Sequence, residues 1–173
     1  TEQVNELKEM QSPCKLFSLL FSTASAEELK ALSAMVTLME KESQTVLANV
    51  DLVAKLLITR LPDSNATRFG KLMELVEGIL TAADKANQRL TEFEATAFVE
   101  SLVHKGAHAS TTPACQTRIK GVYRQLCRVY PASRLFSSFL ELGMVAAMAK
   151  VKCEYLSELK VLLTRNGQSV LMQ

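Results

Sequence analysis

The helical pattern of this chain breaks near residues 22, 62, 106 and 144, so a helix–turn–helix unit returns about every 40 residues. No other feature restricts the fold as strongly. Two amphipathic helices cannot bury both of their apolar stripes alone, so repeated pairs must stack and build one continuous core from their neighbours. The interval is that of HEAT-like or armadillo-like arrays, with an ordinary helical bundle as the competing arrangement.

The starts and stops have local causes. Ser12-Pro13 opens a first helix with Leu16, Phe17, Leu19, Leu20 and Phe21 on its stripe. Ser25-Ala26-Glu27-Glu28 reads as a capping box for a helix carrying Leu29, Leu32, Met35, Val36 and Met39. Asn49 starts the next helix, and Pro62 stops it, because proline lacks an N–H donor and disfavours helix at Leu61. Asn65 caps its successor, whose stripe runs from Phe69 to Leu80. Thr91 to Glu94 form another capping box, HKGAHASTTP at 104–113 breaks the pattern, and Thr112-Pro113 repeats the cap-then-proline signal. Pro131 separates two further helices, a weak break falls near Gly143, and Asn166-Gly167 reads as a stop. No alternating run is bounded by hairpin turns. The expected class is therefore all-α, an α-solenoid of about four HEAT-type repeats at approximately 12–42, 49–88, 91–130 and 131–167.

Composition closes off several functions. Hydrophobic residues make up 48% of the 173, enough for a real core, while Trp is absent. A formal charge of +2 gives no global basic field for nucleic acid. No apolar run approaches the roughly 20 residues that cross a bilayer, and the charged start TEQVNELKEM is no secretory signal. That start reads as an internal segment without its native flanks. Cys14, Cys115, Cys127 and Cys153 form no C-x-x-C pair and sit in apolar helical contexts, as expected of free core thiols in a reducing cytosol. His104 and His108 have no Cys or carboxylate nearby to complete a zinc set, and Glu92 and Glu94 read as helix-start acids. Phosphate-loop, nucleophile-elbow and dinucleotide motifs are missing, so neither an enzyme nor a cofactor is expected.

In a stacked array the turns within repeats line up along one edge. The cations that open each second helix are Lys30, then Arg68 and Lys71, then Arg118 and Lys120, then Lys150 and Lys152. Cations near a helix N-terminus oppose its dipole, so helix electrostatics do not account for them. Acids do not follow them closely in the last three units, and the row suits an acidic protein surface better than a pocket.

The segments NVDLVAKLLITRLPDSNATRFGKLMELV, LTEFEATAFVESLVHK, QLCRVYPASRLF and KVKCEYLSELKVLLTRNG occur in that order. Together they resemble the TOG domains of microtubule polymerases, most of all the fifth, last domain of the animal five-TOG proteins, with a divergent nematode-type member as the nearest description. The resemblance implies a flat HEAT-repeat paddle that binds αβ-tubulin or the microtubule lattice through its intra-repeat turns, in the cytoplasm, at spindle and centrosome. It implies contacts from Asp63, Ser64 and Asn65 in the second turn with Lys71 after it, from Arg118 and Lys120, and from Lys150 and Lys152. Three departures stand out: four repeats where six are typical, no Trp in the first turn, and a longer, neutral third turn. They leave a second reading open, an adaptor module that docks another centrosomal or spindle protein, such as a coiled coil.

Overall fold

The computed structural model describes residues 18–22, 24–62, 64–108 and 111–171, with side chains as far as residue 167. Among the described residues, 18–20 are helical and eight helices follow: α1 Ser25–Lys41, α2 Ser43–Leu47, α3 Val50–Arg60, α4 Ala66–Lys85, α5 Glu92–Ala107, α6 Pro113–Val129, α7 Ala132–Val145 and α8 Ala149–Leu171. No strand occurs among the described residues. The first helix expected from Ser12-Pro13, and Cys14 with it, lies mostly outside them; Leu20 is buried, and Leu19 and Phe21 pack on the core.

The helices form two layers. In one, α3 packs on α5 and α5 on α7; in the other, α1 packs on α4 and α4 on α6. The hairpins α5–α6 and α7–α8 close the layers together, α8 also reaches α5, and α2 bridges α1 and α4. This is the stacked arrangement that the repeat interval demands. Between the layers lie fully buried Leu32, Leu56, Leu57, Leu72, Leu75 and Ile79, each contributing about 1.5–3 kcal/mol by leaving water. At the far end three rings stack edge to face, Tyr123 on Phe139 at 5.4 Å and Phe139 on Tyr155 at 5.9 Å, tying α6, α7 and α8. Burial raises both tyrosine hydroxyls well above their ordinary range.

Several local readings hold in detail. Asn65 Oδ1 accepts from Arg68 N–H at 2.9 Å. Thr91 and Glu94 complete their reciprocal box, and Thr112 Oγ1 accepts from Cys115 N–H. Others do not. Ser25 lies inside α1, whose cap position is Ala24, so its capping box does not form; Ser22 instead bonds Glu27, and Glu28 turns inward. Helix α5 runs past 104 to Ala107, because Gly106 faces the Ile119 side chain and the Lys105 stem is buried, which moves the third turn to 108–112. Gly143 likewise sits inside α7, and the fourth turn falls at 146–148. The stop expected at Asn166-Gly167 is met by a break: Asn166 leaves the helical backbone angles (φ −126°, ψ 21°), and a second helical stretch continues to Leu171. The thiols are less buried than expected: Cys115 and Cys127 are half-buried and Cys153 is exposed, all three free.

Gly143 has a packing reason, since a Cβ there would stand 3.0 Å from the Tyr155 Cβ, whereas at Gly121 in α6 a Cβ would meet nothing. Gly143→Ala should therefore unfold below wild type in urea, with overpacking of about 1–3 kcal/mol exceeding the helix gain. Gly121→Ala should gain about 0.5–1 kcal/mol. A Gly143→Ala protein as stable as Gly121→Ala would contradict the close α7–α8 contact.

Candidate protein-binding edge

The turns after α3 and α5 lead from the first layer into α4 and α6 of the second, the turn at 146–148 joins α7 to α8, and the turn at residue 22 precedes α1. Side-chain contacts place neighbouring helix starts beside each other. Arg68 in the first turn of α4 reaches back to Glu28 in the first turn of α1, with Nη2 to Oε2 at 2.8 Å. Arg118 near the start of α6 grips Glu77 of α4 with Nε and Nη2, both at 2.8 Å, and also donates to the Gly70 carbonyl. Its guanidinium is held above its ordinary pKa, chiefly by the Glu77 hydrogen bonds.

A second set of cations comes from the first layer. Arg60, the last residue of α3, donates to the Ser22 carbonyl at 3.3 Å, lies 3.5 Å from Glu28 and stacks over the Phe21 ring. Lys105, near the end of α5, donates to the Ser64 carbonyl at 2.7 Å and to the Pro62 carbonyl at 3.3 Å. In each case a cation of one repeat satisfies the turn of the repeat before it.

The sequence-derived residues therefore separate into two kinds. Asp63 lies outside the described residues. Ser64 is buried, its hydroxyl donating to Leu61 O, which turns it away from the edge. Arg68 and Arg118 are consumed by ion pairs between helices, and Lys71 pairs with Glu74 one turn on. The expectation that acids stay away from these cations fails for all three, because the acids come from neighbouring helices or from i+3. Asn65, Lys120, Lys150 and Lys152 are exposed, as is Lys30. The sequence reading missed Glu28, Arg60, Glu77 and Lys105. Glu28 could have been found, since it stands four residues before Leu32 on the apolar stripe of α1.

One small recess opens between α5, α6 and α8, lined among others by Ile119, Lys120, Tyr123 and Glu158. Glu158 is buried there, and its Oε1 has no hydrogen-bond partner. Burial raises its carboxyl above the ordinary carboxylate range, with Lys120 opposing and Glu154 adding. No group of three potential metal ligands occurs among the described residues, and His104 and His108 are both exposed.

A two-layer stack of helical pairs with its turns on one edge is a HEAT-repeat solenoid. The chain has the fold of TOG domains, which are solenoids of this kind. A solved structure described as "TOG-tubulin binding specificity promotes microtubule dynamics and mitotic spindle formation" superposes with a TM-score of 0.80 at 23% identity, covering 99% of this chain and 70% of that one. The C. elegans Zyg9 TOG domain gives 0.80 at 24% identity, covering 99% and 64%. Among curated proteins, Drosophila melanogaster "Protein mini spindles" is 26% identical over 145 residues, which are 84% of this chain and 7% of that protein. No family model matches.

Two stability outcomes follow. Glu28→Ala should cost about 3 kcal/mol in urea unfolding, because it strands two partly buried arginines, whereas Lys152→Ala should stay within about 0.5 kcal/mol. Equal effects would mean that Glu28 is no structural hub. Glu158→Gln tests the recess. A carboxyl raised on folding contributes stability that is present below its unfolded pKa of about 4.3 and lost as pH rises through the folded value. Relative to wild type, Glu158→Gln should therefore be more stable at about pH 7 and lose that advantage toward about pH 4. An advantage unchanged across that range would contradict the raised carboxyl.

Proposed function

We propose that the chain is a non-enzymatic αβ-tubulin-binding module that works through its intra-repeat turn edge within a larger microtubule polymerase or spindle-assembly protein. The observation that carries this reading is the edge itself. Exposed Asn65 caps α4, with Lys71 in a solvent-facing pair one turn on, exposed Lys120 stands two turns into α6, and exposed Lys150 and Lys152 open α8; ion pairs tie α1 to α4 and α4 to α6. Such a row offers positive charge at regular intervals to one extended acidic surface. The likeness to TOG structures, one described by its tubulin-binding specificity, and the match to mini spindles support the same partner. The order of the sequence segments favours the last TOG domain of a multi-domain protein, and the Zyg9 likeness is compatible with a nematode-type member. Residues 1–173 are read as one TOG-like domain of four repeats. Linked to further sites, even modest affinity would hold tubulin through effective concentration.

The second reading, an adaptor module for another spindle or centrosomal protein, draws on one observation. Arg68 and Arg118 are neutralised internally, which lowers the positive charge left for an acidic partner.

Charge reversal separates the two kinds of cation. Lys71→Glu combined with Lys152→Glu should weaken binding to αβ-tubulin about tenfold at low salt and less at physiological salt, with the helical fold kept. Arg118→Glu should instead lower stability, since it sets two carboxylates against each other. Unchanged affinity in the folded double variant would refute the basic edge.

A further inference from the structure

Two acids are buried among the described residues, Glu28 and Glu158. The fold answers Glu28 from within, through Arg60 and Arg68. Glu158 has no such answer: it is 5% exposed, its Oε1 has no hydrogen-bond partner, and no ion pair among the described residues reaches it. A carboxyl kept from water without a partner is costly, and a cation brought to it from outside would relieve that cost.

The recess in front of this carboxyl has a packing origin. In the second layer α1 packs on α4 and α4 on α6, but α8 packs mainly on α7 and α5. Glu158 stands on the face of α8 that carries buried Tyr155 and Leu162, so the recess belongs to the contact between the third and fourth repeats and does not depend on what lies beyond α8. Buried Tyr123 lines the floor with Glu158, while half-buried Gln116 and Glu154 and exposed Lys120 form the rim. Gln116 is in the first turn of α6 and Glu154 in the second turn of α8, and Gly106, next to last in α5, brings no side chain to the opening. The mouth therefore sits close behind the third and fourth turns of the edge.

Charge and size select the occupant. Lys120 and Arg124 of α6, with Glu154 and Arg165 of α8, also face Glu158, whereas α5 lines the recess with Leu102, Val103 and Gly106 alone. The three cations are exposed and screened by water, and burial still holds the Glu158 carboxyl above its ordinary range. The room is about 10 Å³, enough for one water-sized group. A lysine ammonium has that size, and a planar guanidinium does not. The apolar walls at Leu102 and Ile119 suit its methylene stem.

We propose that this recess receives the ε-ammonium of one lysine of αβ-tubulin, which pairs with Glu158 and Glu154. The inference rests on the function proposed above and adds one contact of opposite sign to the basic edge. Cations along the edge steer an acidic surface toward it, and a single lysine seated between two turns fixes the register of the two surfaces.

The test uses the 173-residue chain with native αβ-tubulin and with αβ-tubulin whose lysines are converted to homoarginine, which keeps the charge but enlarges the head. Glu158→Gln should bind native tubulin about tenfold more weakly than wild type at about pH 7 while unfolding no earlier in urea, a divergence that a merely structural role would not give. On homoarginine tubulin, wild type should lose about tenfold and Glu158→Gln little, since the variant has no pair left to lose. If wild type and Glu158→Gln bind native tubulin equally, the recess is refuted while the tubulin-binding function stands. If the conversion weakens both by the same factor, Glu158 acts through the fold or a bound water and the proposal is overturned. If wild type binds no tubulin at low salt, both fail.

Discussion

A cation at the end of each of two first-layer helices governs the form of the edge. Arg60 and Lys105 both reach back to carbonyls in the turn of the repeat before them, and Arg60 shares Glu28 with Arg68. Those carbonyls sit where a chain reversal leaves backbone acceptors without helical partners. Supplying them from the next repeat makes each turn depend on its neighbour. Ion pairs that are largely out of water give little net stability once desolvation is counted, but losing one partner is expensive. Their consequence here is register: the starts of α1, α4 and α6 are held at set distances, and the exposed side chains on them inherit that spacing.

Function follows from the same division of labour. Apolar packing between layers makes the array, and any aliphatic residue of suitable volume could serve there. The buried charges fix the edge, and only the charges left over can meet a partner. Arg68 and Arg118 belong to the scaffold, whereas Lys120, Lys150 and Lys152 remain outside. The internal pairing stops at the fourth turn, where α7 ends on apolar residues in place of a cation. Beside it stand exposed Met144, Val145 and Met148, with Lys150 and Lys152 opening α8.

The layered all-α fold was legible because its signals are local. Pro62, Asn65, Thr91, Thr112-Pro113 and Pro131 act within a few residues of themselves, and their helices start and stop where they stand. Signals that depend on a neighbour were not legible. Gly106 and Gly143 look like breakers in sequence, yet both lie inside helices, and at Gly143 the missing side chain lets α8 approach closely. Glu28 looks like a capping acid, but the second repeat makes it a buried partner of two arginines. The row of cations was found by sequence; which members are already engaged was not, since Glu28 and Glu77 lie about 40 residues from the arginines they hold.

Amide hydrogen exchange of the chain with and without saturating αβ-tubulin tests the central claim directly, because it reports which edge is covered. Slowed exchange is expected at 64–67, 108–112 and 146–151, where the turns lead into α4, α6 and α8, with the opposite edge at 86–91 unchanged. Protection confined to 86–91, or no protection anywhere, would contradict it.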